Sequence, residues 1–253
     1  MATRNLEAMP DCVFLPGSQQ RADRMAELWD DVRSAGRVGD FEAYVGLVGG
    51  VPVGVCPTGI GGSSVCRTVD HVRRAGATTL IRVGVTGTIQ PKVHLGDLVI
   101  ATAAVRLDKV STQYLPIEAP AVADPFVVMA LVAAAEDLGV PHHAGVGATQ
   151  SSFYAGGGVS CHAGYRHSGM DNLESDMRAA GVLDWDTETA PLYVLGMFRN
   201  LRCGRVNAVV NHPETGAYDP FGEEQAIAVA NRAAQNLHLW DARAETSREE
   251  TPS

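Results

Sequence analysis

The chain has 253 residues, enough for one large α/β domain or two small ones, and at 45% hydrophobic and 19% charged it can fill a substantial core. A net charge of −9, with 20 Lys+Arg and no basic run, argues against a nucleic-acid polymer partner, because phosphate-backbone binding needs clustered cations. Five scattered cysteines without CxxC spacing, no apolar run of membrane-span length and no signal-peptide core at residues 1–11 point to free thiols in a cytoplasmic protein, not to a disulfide, zinc or membrane framework.

Residues 1–10 read as an unstructured leader. Cys12-Val13-Phe14-Leu15 is a short apolar strand ending in Pro16-Gly17. Ser18 can cap a helix over residues 20–35, where Met25, Ala26, Leu28 and Val32 recur at helical spacing. Arg21 falls in the first turn, where a cation opposes the helix dipole. It is either a solvated surface residue or the partner of an anion held between. Residues 41–47 and 52–56 read as two strands joined at Gly49-Gly50. Pro57-Thr58-Gly59-Ile60-Gly61-Gly62-Ser63-Ser64 then opens a helix. Its glycines suit a phosphate cradle or close helix–sheet packing equally, and the motif is neither GxGxxG nor a P-loop.

Leu80 to Val83 is a buried strand that carries an arginine, Arg82. The reading continues with a turn over Gly84-Val85-Thr86-Gly87-Thr88, a Pro91/Gly96 corner and a second strand, 97–105. Such a turn, with backbone N–H groups, hydroxyls and a guanidinium, suits an anion pocket; a snorkelling Arg on an ordinary strand pair is the alternative. Asp124-Pro125 starts a buried helix over 126–138, followed by a strand at 144–149. The run 155–172 is too long and glycine-rich for a plain connector and reads as a lid or binding segment, with His162, Tyr165, Arg166 and His167 as candidate contacts.

After a short helix at 174–180, alternation sends Asp184, Asp186 and Glu188 to one side of an extended segment. They form either a solvated acidic face or a site at a strand end, where Glu188, just before a helix, stays ionised and can accept hydrogen bonds from two sugar hydroxyls. Residues 203–210 are a last buried strand, 223–240 an amphipathic helix, and 242–253 a charged, disordered tail. Strands and helices alternate throughout, so the expected fold is a single three-layer α/β/α domain over residues 11–241 with a central mixed twisted sheet.

The order of landmarks resembles the trimer/hexamer type of the nucleoside phosphorylase family, and within it the uridine phosphorylase branch. The resemblance runs over about residues 11 to 240. It rests on Pro16-Gly17 with Arg21, Thr58-Gly59-Ile60-Gly61-Gly62-x-Ser64, and Ile81-Arg82-Val83-Gly84-x-Thr86-Gly87-x-Ile89-Gln90-Pro91. Ala103 to Asp108, Pro120 to Asp124, Phe153-Tyr154-x-Gly156 and Asp186-x-Glu188-x-Ala190 complete it. It implies phosphorolysis of a nucleoside to free base and ribose 1-phosphate, with Arg82 and Glu188 as catalytic residues. Phosphate would be held by Gly17, Arg21, Arg82, Val85, Thr86 and Arg37. Asp186, Thr187 and Glu188 would hold ribose, and Phe153, Tyr154, Gly157, Val159 and His212 would line the base. No cofactor or metal is implied beyond phosphate as co-substrate, although Asp40, Ile60 and Ser64 fall where the branch holds a monovalent cation at a subunit interface. A homo-oligomer is implied as well.

The chain also departs from that branch. Gly157 and Val159 replace a Gln and an Arg that read the uracil edge, and an unpartnered buried base edge costs about 1–3 kcal/mol per group. Val85 replaces a phosphate-binding threonine and leaves only a backbone N–H. The arginine lent by a neighbouring subunit falls at Gly39, with Arg37 two residues away as a substitute. His212 stands for an Arg near the base, and the N-terminal histidine that reaches a neighbour's 5′-hydroxyl has no counterpart. These changes point to a modified or non-standard nucleoside, with a nucleoside hydrolase or a non-catalytic nucleoside-binding protein as alternatives.

Overall fold

Five consecutive buried residues, Cys12–Pro16, form strand β1 at the middle of the sheet, paired in parallel on both sides. Apolarity without alternation is what a strand covered on both faces requires. The computed structural model describes residues 6–153, 164–165, 167–212 and 217–249. After β1 come α1 (Gln19–Ala26), β2 (Asp30–Val38), β3 (Phe41–Val48), β4 (Val51–Val55), α2 (Gly62–Arg74), β5 (Thr79–Thr88) and β6 (Leu98–Arg106). Then follow β7 (Ala121–Val122), α3 (Pro125–Asp137), β8 (His142–Thr149), α4 (Leu173–Ala179), β9 (Asp184–Asp186), α5 (Thr189–Arg199), β10 (Arg202–His212), β11 (Ala217–Tyr218) and α6 (Glu223–Glu249).

The sheet is mixed, in the order β11-β10-β6-β8-β9-β5-β1-β4-β3-β2, with β7 on β6. Because β10 also pairs with β5, the strands β5, β10, β6, β8 and β9 close into a ring. Residues of α1, α3 and α6 pack with Phe14, Ile81 and Val206 on one face. Those of α2 and α5 pack with Val13, Leu15 and Leu80 on the other. The expected three layers are therefore present. Among the described residues no helix is long and apolar enough to cross a membrane.

Several local expectations are corrected. The helix from Ser18 stops at Ala26, and residues expected to continue it form β2, an edge strand antiparallel to β3. Leu28 and Val32 completed the apparent helical stripe, but both are exposed, whereas Trp29 is buried against the Phe14 ring. Asp31 takes φ 52°, which breaks the helix geometry.

Residues 84–88 do not turn. They continue β5, in register with β10 from Thr79 to Thr86 and, past a shift between Val209 and Asn211, paired again at Gly87. Gly84 serves packing, since a Cβ there would lie 2.6 Å from Asn207 Oδ1. The leader is not wholly free: Glu7 and Met9 donate backbone N–H groups to Ala35 O and Ala75 O, and Met9 is buried. The expected tail is helical through Glu249 as part of α6.

Candidate active site

Strand register places the first charged group. Leu15 and Pro16 of β1 lie beside Arg82 and Val83 of β5, so Arg82 stands level with the carboxyl end of β1. There the chain turns at Gly17 into α1, whose N-cap Ser18 accepts the backbone N–H of Arg21. A Cβ on Gly17 would stand 3.7 Å from Arg82 Nη2 and 3.9 Å from Arg21 Nη1. Two guanidinium heads thus face one point beside a residue without a side chain. Both arginines are buried.

Glu188 completes the cluster from the opposite side. It is the N-cap residue of α5, and its Oε2 lies 2.6 Å from Arg82 Nη2, both side chains being almost fully buried. Its Oε1 accepts the Gly61 N–H at 2.5 Å and the Thr187 hydroxyl at 2.6 Å. Gly61 takes φ 91°, so the glycine turn is shaped to aim a backbone N–H at this carboxylate. Arg82 Nη1 also donates to Thr58 Oγ1 at 3.3 Å.

Behind this pair lies a second ionic layer. Arg205 of β10 is the register neighbour of Arg82 and is 1% exposed. Its Nη2 is 2.8 Å from Asp184 Oδ2, off the line of a hydrogen bond, and its Nη1 is 3.5 Å from Asp186 Oδ2. Burial raises the Asp184 carboxyl above its ordinary range; Arg205 opposes that shift and Asp186 adds to it. The Asp186 carboxylate also accepts Thr149 Oγ1 at 2.6 Å, the Thr189 N–H at 3.0 Å and the Thr189 hydroxyl. It therefore fixes the first turn of the helix that presents Glu188. Gly147 leaves room for this layer, since a Cβ there would lie 2.5 Å from Asp184 Oδ1. The three carboxylates are buried and paired, so the solvated-face alternative is ruled out.

Other expected site residues are placed differently. Thr86 is buried and donates to the Trp185 carbonyl at 2.6 Å, and the Val85 carbonyl accepts Asn207 Nδ2 at 3.3 Å. Arg37 lies on the exposed β2–β3 hairpin, paired with Glu42 at 3.2 Å and bonded to the Asp40 carbonyl, and is not brought to Arg21 and Arg82. The Arg67 guanidinium, from α2, stands 3.2 Å from where a Cβ on Gly39 would be. Ile60 is exposed, and Ser64 donates its hydroxyl to the Thr58 carbonyl. Phe153, Tyr165 and His167 are exposed, His167 accepting the Gly169 N–H. Tyr154, Gly157, Val159, His162 and Arg166 lie outside the described residues, as does the side chain of His212.

Sequence reasoning missed Arg205 and Glu223. Arg205 carried the same signal as Arg82, an arginine inside an apolar strand. Glu223 carried none, because only the fold brings α6 to α1. It sits at the edge of a cavity of about 670 Å³ lined also by Ser18, Arg21, Arg24, Tyr218 and Phe221. A second cavity, about 690 Å³, opens beside Cys12, Thr79 and Arg202 at the amino ends of their strands, away from Arg82 and Glu188. What the cluster offers chemically is a bidentate cation pair for a small anion with an ionisable carboxylate beside it.

Known proteins resemble this chain over most of its length. The family model described as the Phosphorylase superfamily matches residues 11–241. A uridine phosphorylase of Thermococcus kodakarensis is 43% identical over 229 residues, covering 90% of this chain and 83% of that protein. A uridine phosphorylase of Treponema pallidum is 36% identical, covering 90% of each chain. One from Haemophilus influenzae is 33% identical, covering 88% of this chain and 91% of that protein.

Proposed function

This chain belongs to the phosphorylase superfamily, and on that premise we propose that it cleaves the N-glycosidic bond of a nucleoside with inorganic phosphate. A phosphate oxygen bonds to C1′ while the bond from C1′ to the base nitrogen breaks. The electron pair leaves with the base, which takes up a proton, and the products are free base and ribose 1-phosphate. The chain is thus a pentosyltransferase. The observation that carries the reading is the meeting of Arg21, Arg82 and Glu188 around Gly17 and Gly61.

In this reading Arg21 and Arg82 hold the phosphate, with backbone N–H groups at Gly17 and Val85 adding donors. Glu188 takes the ribose hydroxyls and favours positive charge developing on the sugar. Catalysis is then positioning plus electrostatics in a site shielded from water. Arg82 and Glu188 pair with each other at 2.6 Å, so phosphate and ribose enter by sharing or replacing that contact. Phe153 and the segment around residues 154–159 take the base. Uridine is the first substrate to test, because relatives bear that name, and a modified base is the reading suggested by Gly157 and Val159.

The enzyme acts as a cytoplasmic homo-oligomer in which the hairpin tip, with Arg37 and Arg67 beside Gly39, reaches a neighbouring subunit. No cofactor is required. A monovalent cation at Asp40, Ile60 and Ser64 would be an interface component. One experiment tests the core of the proposal: a nucleoside panel incubated with and without phosphate, products resolved by chromatography. Phosphate-dependent release of base and ribose 1-phosphate is expected. Free ribose released without phosphate would instead indicate a hydrolase, and tight binding without turnover a binding protein.

A further inference from the structure

Arg21 is held by a group that the phosphate-site reading does not call on. Its Nε lies 3.3 Å from Glu223 Oε2 and its Nη2 3.1 Å from Oε1, so one edge of the guanidinium meets both oxygens of one carboxylate. The opposite nitrogen, Nη1, is left facing Gly17 and the Arg82 head. Glu223 is the first residue of α6, in the tight segment where its N–H donates to Pro220 O, and its side chain is 14% exposed. Arg24, one turn beyond Arg21 on α1, donates Nη2 to the same Oε2.

We infer that Glu223 is a positioning residue of the anion site, fixing Arg21 in the rotamer that directs Nη1 toward Arg82. The inference rests on the phosphorolysis reading. A free arginine surrenders much rotamer entropy when it grips a ligand, and a fork already pinned along one edge surrenders less. The carboxylate occupies the edge away from Gly17, so it orients Arg21 without filling the anion position. Arg24 offsets its charge, so two guanidinium groups face one carboxylate and the local field stays positive.

The test uses Glu223→Gln and Glu223→Asp in the full-length protein, compared with wild type for far-UV circular dichroism and oligomeric state. Initial rates are measured with phosphate and uridine varied separately, and the thermal upshift produced by each is recorded. Glu223→Gln is expected to raise the phosphate KM about tenfold with the uridine KM within about twofold, and Glu223→Asp to fall between. The phosphate-induced upshift shrinks in Glu223→Gln while the uridine-induced one does not. An unchanged phosphate KM overturns the inference, and a lowered one shows that Glu223 competes with phosphate. If wild type releases no base from uridine or from any other member of the nucleoside panel, the phosphorolysis reading fails separately. The thermal arm then decides, equal phosphate upshifts in wild type and Glu223→Gln overturning the inference.

Discussion

Replacing Arg82 with alanine separates two roles of one side chain. Arg82 is 5% exposed and supplies the cation for Glu188, 2.6 Å away and 3% exposed, while Nη1 donates to Thr58 Oγ1. In Arg82→Ala the Gly61 N–H and the Thr187 hydroxyl still satisfy Glu188 Oε1, but Oε2 loses its partner. Stranding one member of a buried ion pair costs roughly 3–5 kcal/mol. Against a domain stability of about 5–15 kcal/mol that is a large share. At roughly 2–4 °C per kcal/mol for a chain of this size, Tm should drop by about 10 °C. Loss of the guanidinium at the anion position should lower kcat/KM by about 10²-fold or more. The assay pairs phosphorolysis rates, at a temperature where the variant is folded, with thermal melts of Arg82→Ala, Glu188→Ala and the double variant. Removing Glu188 as well should recover part of the Tm, because the stranded carboxylate is gone, and none of the activity. Two outcomes refute the reasoning: folded Arg82→Ala retaining a rate within about threefold of wild type, or a double variant melting where additivity puts it.

Arg205→Met should destabilise by roughly 3–5 kcal/mol, since Asp184 and Asp186 lose their buried cation, and adding Asp184→Leu should return much of that. Chemical denaturation of the single and double variants measures it. Burial pushes the Cys12 and Cys56 thiols up to about 12 and Cys66 to about 11, and raises Cys203 as well. Iodoacetamide at pH about 8 should therefore leave these four unmodified in the native protein, as thiolate is the nucleophile; intact and peptide mass spectrometry reads the adducts. Burial raises the Glu223 carboxyl, but Arg21 and Arg24 outweigh it and hold the group below the ordinary 4.5. A depressed folded value adds stability that is present above that pH and lost as pH falls through the lower folded value. The Tm gap between wild type and Glu223→Gln should accordingly be widest near neutrality and close on acidification below about 4.5, as melts across that range will register.

The alternation of strands and helices and the three layers were legible because they rest on short apolar runs punctuated by Gly or Pro, whereas the convergence of Arg21, Arg82 and Glu188 followed from the resemblance to the nucleoside phosphorylases and not from the residues alone. The misreadings share a cause. Leu28 and Val32 matched a helical period, but β3 offered the 30–38 segment backbone partners that periodicity cannot represent. Gly84 and Gly87 suggested a turn, whereas both lie within β5 alongside β10, and the missing side chain of Gly84 makes room for Asn207. A solvated face stayed open beside a strand-end site for Asp184 and Asp186 because their cation, Arg205, lies about twenty residues on and in another strand, and alternation reports only which side a carboxylate takes. The hold of Glu223 on Arg21 spans 202 residues and was invisible for the same reason.

That span also has a consequence for biosynthesis. Arg21 leaves the ribosome 202 residues ahead of Glu223, so the nascent polypeptide carries an incomplete anion pocket for most of its translation. Until α6 emerges, the layer that Ala226, Ile227 and Ala230 contribute over Phe14 and Ile81 is missing, and a hydrophobic face stays bare. Native assembly is completed only once the last helix is made, and stop codons within that helix should yield aggregates rather than weakened enzyme.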